Sequence, residues 1–248
     1  MKGWPDYTRV TGLVENYDEF GQNYPVGIGD GAARLGSIRT YDMRGRVWWM
    51  DDFEAAVLKW NTAAGGVGGS QSLDTQYARN GNQSVRLTTA TGVARRSEIW
   101  RAFPRPRKAT IGLEVSIAAA ANFGEIIIQV TMFDGTDQTN TMLQINEAAQ
   151  RINYFDSAGA WVDTGFAWGA YDEDGLFQTF KIVQDYEMNE YVRVLYNYQE
   201  LDMAGIPCRT VGFVSPSMMV VRINARGDNM NNIDCYVDDV ILTIMEPK

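Results

Sequence analysis

The chain has 248 residues, of which 45% are hydrophobic and 21% are charged, a composition typical of a soluble globular protein with one large or two small domains. Its net charge of −9 argues against a nucleic-acid partner, since phosphate binding needs a cationic surface, and no apolar run approaches the roughly 18 residues of a membrane-spanning helix. Histidine is absent, which excludes Ser-His-Asp and Cys-His catalysis and histidine-ligated zinc. We therefore expect no catalytic residues, no enzyme, no nucleic acid and no membrane partner.

The first 46 residues show no sustained period of 2 or 3.6, although tyrosines and arginines are scattered through them. Such a segment buries too little apolar surface to offset its ordering entropy. It is either a flexible tail or an extended arm that orders against a neighbouring subunit, and we predict the arm. The residues expected to contact the partner are Trp4, Tyr24, Arg34, Arg39, Tyr41 and Arg44.

From Val47 to the end, short strand patterns alternate with turn residues. "ATIGLEVSIA" places Ile111, Leu113, Val115 and Ile117 at strict period two, and "EIIIQVTMF" is apolar enough for a buried central strand. "RINYFDSAGAWVDTG" is typical of a hairpin that turns at "DSAG", whereas "TMLQINEAAQ" (141–150) is ambiguous between helix and strand. A dozen or so strands without a long helix predict an all-β, antiparallel jelly-roll sandwich over residues 47–248.

Charge is unevenly distributed. "ARRSEIWRAFPRPRK" (94–108) has six cationic residues and one Glu, whereas 171–202 has eight acidic and two cationic residues. These segments are either solvated faces or complementary patches between copies of the chain. We add Arg95, Arg96 and Arg101 to the residues expected to bind a partner.

The tryptophans and cysteines leave alternatives open. "AWVDTGFAW" places Trp161 and Trp168 around a loop, where the rings either pack in a core or interface or stack on a sugar. Cys208 and Cys235 form either one disulfide or, as we expect, two buried thiols.

Three stretches in order, "MDDFEAAVLKW", "NGNQSVRLTT" and "CYVDDVILT", resemble the carbohydrate-binding-module and concanavalin A-like jelly rolls. That resemblance implies that the first and last strands pair, and it implies a structural Ca²⁺ held by Glu54 and one aspartate of "DDV". We take Asp52, Glu54 and Asp239 as the candidate ligands, with rim carboxylates or a glycosidase pair as the other interpretations. On a regular strand, Asp238 and Asp239 point to opposite faces.

The segment "ARLGSIRTYDMRGRVWWMDDFE" is similar to virion structural proteins of tailed phages, in which an arm leads into a sandwich. We therefore predict a phage capsid or capsid-decoration protein, located in the virion after assembly in the host cytoplasm. Its partners would be copies of itself or a capsid shell protein. The alternative is a carbohydrate-binding module or lectin-like adhesion domain, with a glycan as partner and Trp161 and Trp168 as the stacking rings.

Overall fold

The computed structural model describes residues 16–17, 23–24, 42, 44–107, 110–119, 123–169, 175–227 and 232–248. Eighteen strands lie within these residues, and none of the described segments contains a helix that could cross a membrane. Strands β1 (Asn16–Tyr17) and β2 (Asn23–Tyr24) pair only with each other. The other sixteen form two antiparallel sheets of eight strands.

Sheet A runs in the order β12-β11-β10-β9-β17-β7-β4, and β16 also pairs with β10. Its strands are β4 (Asn61–Val67), β7 (Thr91–Pro104), β9 (Glu125–Phe133), β10 (Asp137–Asn146), β11 (Arg151–Phe155), β12 (Trp161–Ala167), β16 (Arg209–Gly212) and β17 (Met218–Arg226).

Sheet B runs in the order β15-β14-β13-β8-β18-β6-β5, and β3 also pairs with β18. Its strands are β3 (Arg46–Asp51), β5 (Ser70–Asp74), β6 (Ser84–Thr88), β8 (Thr110–Ala119), β13 (Gln178–Asp185), β14 (Glu190–Tyr196), β15 (Gln199–Pro207) and β18 (Asp234–Ile244).

The apolar residues of both sheets meet in one core between them. On β8 the four residues at period two that the sequence predicts to be buried are at most 1% exposed. Burying a side chain of this size contributes about 1.5–3 kcal/mol, so alternation alone fixes which face of each strand turns inward. The predicted jelly-roll sandwich is therefore confirmed in its architecture.

A bulge interrupts β18 at Asp239, whose φ is +48°. The register against β8 shifts between Asp238 and Ile241, so Val237 and Val240 both point into the core although they are three residues apart. The prediction that Asp238 and Asp239 point to opposite faces is wrong, because the extra residue rotates Asp239 toward the same loop that Asp238 contacts.

The outer face of sheet B carries a buried cluster of charges, and we call this surface the covered face. Lys181 is 1% exposed, and its Nζ lies 2.7 Å from Asp42 Oδ2 and 2.7 Å from Glu246 Oε1. Arg193 on the neighbouring strand also pairs with Glu246. Asp42 precedes β3 and Glu246 follows β18, so both ends of the sandwich are fixed to this face.

Arg44 extends the cluster to the surface. Its Nε donates a hydrogen bond to Asp42 Oδ1 at 2.7 Å, and its two terminal nitrogens each donate to Glu200 at 2.8 Å. Burial alone would raise the pKa of the Asp42 carboxyl, but the Lys181 ammonium and the Arg44 hydrogen bond outweigh it and hold that pKa well below its usual range.

The proposed boundary between arm and sandwich at residue 46 lies beside the start of β3 at Arg46. Trp4, Arg34, Arg39 and Tyr41 fall outside the described residues, and of Tyr24 only its place in β2 is described. The arm therefore stays a prediction. Cys208 and Cys235 are both buried and free, and burial raises the pKa of the Cys208 thiol to about 12.

Candidate functional site

The outer face of sheet A is built from the residues that alternate with the core positions of its strands, and we call it the cleft face. Because β7, β17, β9 and β10 pair in register, their outward residues form rows across the sheet. One row is Trp100, Arg222, Gln129 and Met142, the next is Glu98, Asn224, Ile127 and Gln144, and a third is Ala102, Val220, Thr131 and Asn140.

A cavity of about 470 Å³ opens on the cleft face. Its lining combines an aromatic and apolar part with a polar part. The lining residues are Trp100, Phe133, Phe213, Met218, Val220, Gln129, Thr131, Gln138, Ser215 and Arg222. Phe213 is 51% exposed, and its ring centroid lies 5.6 Å from that of Phe133, so the segment after β16 forms one wall of the cleft. Trp100, which also lines the cleft, lies on β7.

The polar floor of the cleft is held by its own hydrogen bonds. Gln129 Nε2 donates to Thr131 Oγ1 at 2.8 Å and to Asn140 Oδ1 at 3.1 Å, and Thr131 Oγ1 donates to the same oxygen at 3.0 Å. Three side chains on two strands are thereby fixed before any ligand arrives. Such preorganisation lowers the entropic cost of binding.

A second polar group lies in the neighbouring row. Asn224 Nδ2 donates to Glu98 Oε2 at 3.0 Å, and the two side chains are buried. Arg222 Nε is 3.9 Å from the same Glu98 oxygen, which is too long for a hydrogen bond. Asn224 Oδ1 and Arg222 Nε have no hydrogen-bond partner among the described residues, so this side of the cleft keeps hydrogen-bonding groups that those residues do not use.

A third group follows at the same end of the sheet. Arg226 donates to Glu125 Oε1 at 2.7 Å, Gln144 Nε2 donates to the other oxygen of Glu125, and Asn153 Nδ2 donates to Gln144 Oε1 at 2.9 Å. The cleft face thus presents amide, hydroxyl, carboxylate and guanidinium groups in fixed orientations. Hydrogen-bonding groups beside aromatic rings are the combination that sugar recognition requires.

The two tryptophans predicted as sugar platforms do not lie in this cleft. Trp168 is 2% exposed and packs against Phe123 and Phe180, with ring centroids 5.8 and 6.1 Å away, so that prediction is wrong: the ring belongs to the core. Trp161 is half-buried on the edge strand β12 and contacts Phe155 at 4.9 Å. Its role as a platform stays a prediction.

Two of the predicted calcium ligands, Glu54 and Asp239, contact the loop 79–83 from different sides. Glu54 Oε1 accepts hydrogen bonds from the backbone N–H groups of Asn82 and Gln83 at 2.7 and 3.0 Å, and these bonds lower the pKa of Glu54. Asp52 is exposed and accepts the backbone N–H of Glu54 at 3.2 Å. At Glu54, backbone N–H donors therefore occupy the carboxylate oxygen that would otherwise coordinate a cation.

Asp239 faces the other side of this loop. Its Oδ2 accepts a hydrogen bond from Asn80 and lies 3.6 Å from an Arg79 nitrogen. Beside it, Asp238 is buried, and burial together with the Asp239 charge raises the pKa of Asp238 to about 7. Among the described residues, no group of three acidic, cysteine or histidine side chains is placed to hold a metal ion. Asp52, Glu54 and Asp239 therefore do not fit a calcium ion in this structure.

The arginines expected at a partner interface are dispersed. Arg44 is occupied by Asp42 and Glu200, and the Arg101 guanidinium stacks 4.8 Å from the Trp49 ring centroid within the same chain. Arg96 is exposed on the cleft face, whereas Arg95 is only partly exposed. The partner-binding role of these residues stays a prediction.

No protein-family model and no curated protein sequence matches the chain. An endo-β-1,4-glucuronan lyase from the fungus Trichoderma reesei is similar in structure, with a TM-score of 0.54 and 10% identity, over 80% of this chain and 95% of the lyase. The cellulose-induced protein Cip1 has a TM-score of 0.47 and 16% identity, over 79% of this chain and 96% of its own.

A Bacillus licheniformis β-glucanase has a TM-score of 0.46 and 14% identity, over 79% of this chain and 97% of its own. Identities this low show the fold alone, and of these three structures only the lyase exceeds 0.5. The chain therefore shares its fold with the lyase, and its two antiparallel sheets form the jelly-roll sandwich that the sequence resemblance implied.

The comparisons correct one functional prediction and leave another without support. The prediction that the chain is not an enzyme is wrong as an exclusion, because a lyase shares its fold and carboxylate chemistry needs no histidine. None of the three structures is described as a virion protein. The capsid or decoration role, the virion location and the self-assembly stay predictions without support from these comparisons.

Sequence reasoning missed the cleft residues. Trp100 was visible only as one of several tryptophans, and Glu98 as the single acid in a basic segment. The sequence does indicate that Glu98 and Trp100 share one face of β7, because they alternate with the apolar residue Ile99 and lie opposite the face of Phe103. Nothing in the sequence indicates that β17, with Arg222 and Asn224, lies beside them.

Proposed function

We propose that the cleft face of sheet A binds a glycan, with a sugar ring against Trp100 and its hydroxyl groups on the polar floor. The observation that carries this proposal is the cleft itself: an aromatic wall beside side chains already oriented by the Gln129–Thr131–Asn140 hydrogen bonds.

The chemistry of sugars supports this assignment. A pyranose presents apolar C–H groups on its ring face and hydroxyl groups around its edge, so it is bound by an aromatic ring on one side and amide or hydroxyl groups at the rim. The cavity volume of about 470 Å³ falls in the range of small-molecule sites. The similarity to a glucuronan lyase supports a polysaccharide as the ligand.

The test is affinity electrophoresis and calorimetry of the full chain against plant, fungal and bacterial polysaccharides. Trp100→Ala should weaken binding about tenfold or more, because the stacking surface is lost. Tyr198→Ala is the matched control, since Tyr198 is 85% exposed and lies outside the cleft lining. Trp161→Ala separates this cleft from the platform predicted on β12.

Unchanged binding by Trp100→Ala together with loss in Trp161→Ala would move the site to β12. Failure of the unaltered chain to bind any polysaccharide would overturn the proposal. The same mixtures are assayed for new reducing ends, which would add cleavage to binding.

A further inference from the structure

The cleft face is cationic although the chain as a whole is acidic. Five arginines point outward from its described strands and three carboxylates accompany them, against a net charge of −9 for the whole chain. The arginines are Arg96, Arg151, Arg209, Arg222 and Arg226, and the carboxylates are Glu98, Glu125 and Asp163.

Two of these arginines oppose each other directly. Arg96 on β7 is the register partner of Arg226 on β17, and like charges in that position repel. Glu125 neutralises Arg226 through a 2.7 Å ion pair. Arg96 is exposed and forms no ion pair with any described residue, so its charge is left uncompensated.

A third arginine lines the cavity itself. The Arg222 side chain is 39% exposed beside Trp100 and Gln129, and its nearest carboxylate oxygen, on Glu98, is held by Asn224. A guanidinium with free N–H groups matches the two oxygens of a carboxylate, with which it forms paired charge-assisted hydrogen bonds.

We propose that the glycan bound here is acidic and carries carboxylate groups, as uronic acids do. Arg222 binds the carboxylate of the sugar that stacks on Trp100, and Arg96 attracts the next carboxylate along the polymer. This inference rests on the proposed glycan-binding function and adds the ligand class to it. The covered face is not a comparable site for an acidic glycan, because Lys181 and Arg193 are already paired there with carboxylates of the chain.

The experiment uses a matched pair of probes: a β-1,4-linked glucan oligosaccharide and the same oligosaccharide with each C6 hydroxymethyl group oxidised to a carboxylate. The carboxylated probe should bind the full chain about tenfold or more tightly, and added salt should weaken only that probe. Arg222→Gln should remove about tenfold of the preference, and Arg96→Gln about twofold to threefold, since an exposed charge contributes less.

Arg46→Gln is the control, because Arg46 is exposed on sheet B and should change neither affinity. Equal binding of the two probes, with loss of both in Trp100→Ala, would overturn the acidic-ligand inference and leave glycan binding standing. A preference for the carboxylated probe that survives Arg222→Gln and Arg96→Gln would also overturn it. If neither probe binds and no other polysaccharide does, the proposed function itself fails.

Discussion

The outer faces of the two sheets differ in the burial and pairing of their charged side chains. On the covered face of sheet B, Lys181 is almost completely buried between Asp42, which precedes β3 in the chain, and Glu246, which follows β18. On the cleft face of sheet A, Arg222 is partly exposed, and no described residue forms a hydrogen bond with its Nε. Both faces carry charge. On the covered face the buried cation is paired with carboxylates of the chain, whereas on the cleft face some arginines are paired but Arg96 and Arg222 form no short ion pair with a described residue.

The difference separates charge that serves stability from charge that serves recognition. A buried ion pair offsets its own desolvation only when every partner is present, so removing one buried partner from the covered face should strongly destabilise the fold. A half-exposed cation remains solvated and is available to an external anion. Four substitutions test this division.

The largest effect is expected from Lys181→Met. It leaves Asp42 and Glu246 as buried carboxylates without their shared cation, and the free energy of unfolding should fall by about 3–5 kcal/mol. Urea denaturation at neutral pH measures it, with Lys59→Met as control because Lys59 is exposed. Glycan affinity of the folded fraction should not change. If Lys181→Met lowers the free energy of unfolding no more than Lys59→Met does, the ion pairs of the covered face do not stabilise the fold.

The next effect concerns pH. The folded chain keeps the Asp238 proton up to about pH 7, whereas the unfolded chain releases it near 3.8, so stability should decline as the pH rises between those values. Asp239→Asn removes the neighbouring charge, tolerates the positive φ, and should flatten this decline. Urea midpoints across the pH range measure it. An unchanged slope would contradict the coupling of the two carboxyls.

A smaller effect is expected on the cleft face. Asn140→Ala removes the acceptor shared by Gln129 and Thr131, and it should weaken glycan binding about threefold to tenfold while costing about 1 kcal/mol of stability. Calorimetry and urea denaturation measure the two quantities, with Gln199→Ala on sheet B as control. A loss of stability without any loss of affinity would assign these hydrogen bonds to the fold alone.

The smallest effect is expected where the covered face reaches solvent. Glu200 is 44% exposed at its side chain, and Arg44 keeps Asp42 as a second partner, so Glu200→Gln should cost about 0.5 kcal/mol or less. Comparison with Lys181→Met measures how strongly the contribution of an ion pair to stability increases with its burial. A cost equal to that of Lys181→Met would contradict the gradient.

Much of the fold was readable from the sequence, because burial on a strand has a period of two. The ambiguous stretch 141–150 resolves into the end of β10 and a turn, and its strand part is confirmed by Leu143 and Ile145 in the core. The hairpin at "DSAG" also forms, with Asp156 Oδ1 accepting the Ala160 N–H at 2.8 Å. These are local features, which a short stretch of sequence fully specifies.

The bulge and the cleft were not readable, since both depend on distant pairings. Asp239 has its positive φ where the register of β18 against β8 shifts by one residue. Arg222 and Trp100 are 122 positions apart and become neighbours through the pairing of β17 with β7. The core position of Trp168 likewise depends on its contacts with Phe123 and Phe180, which no local pattern shows.

The chain order of the strands has a consequence for how this protein is made. In sheet A, β17 joins β9 to β7, and in sheet B, β18 joins β8 to β6 and β3. During synthesis each sheet therefore stays as two separate halves until β17 and β18 have left the ribosome. A protease that removes these two strands leaves open strand edges that invite aggregation.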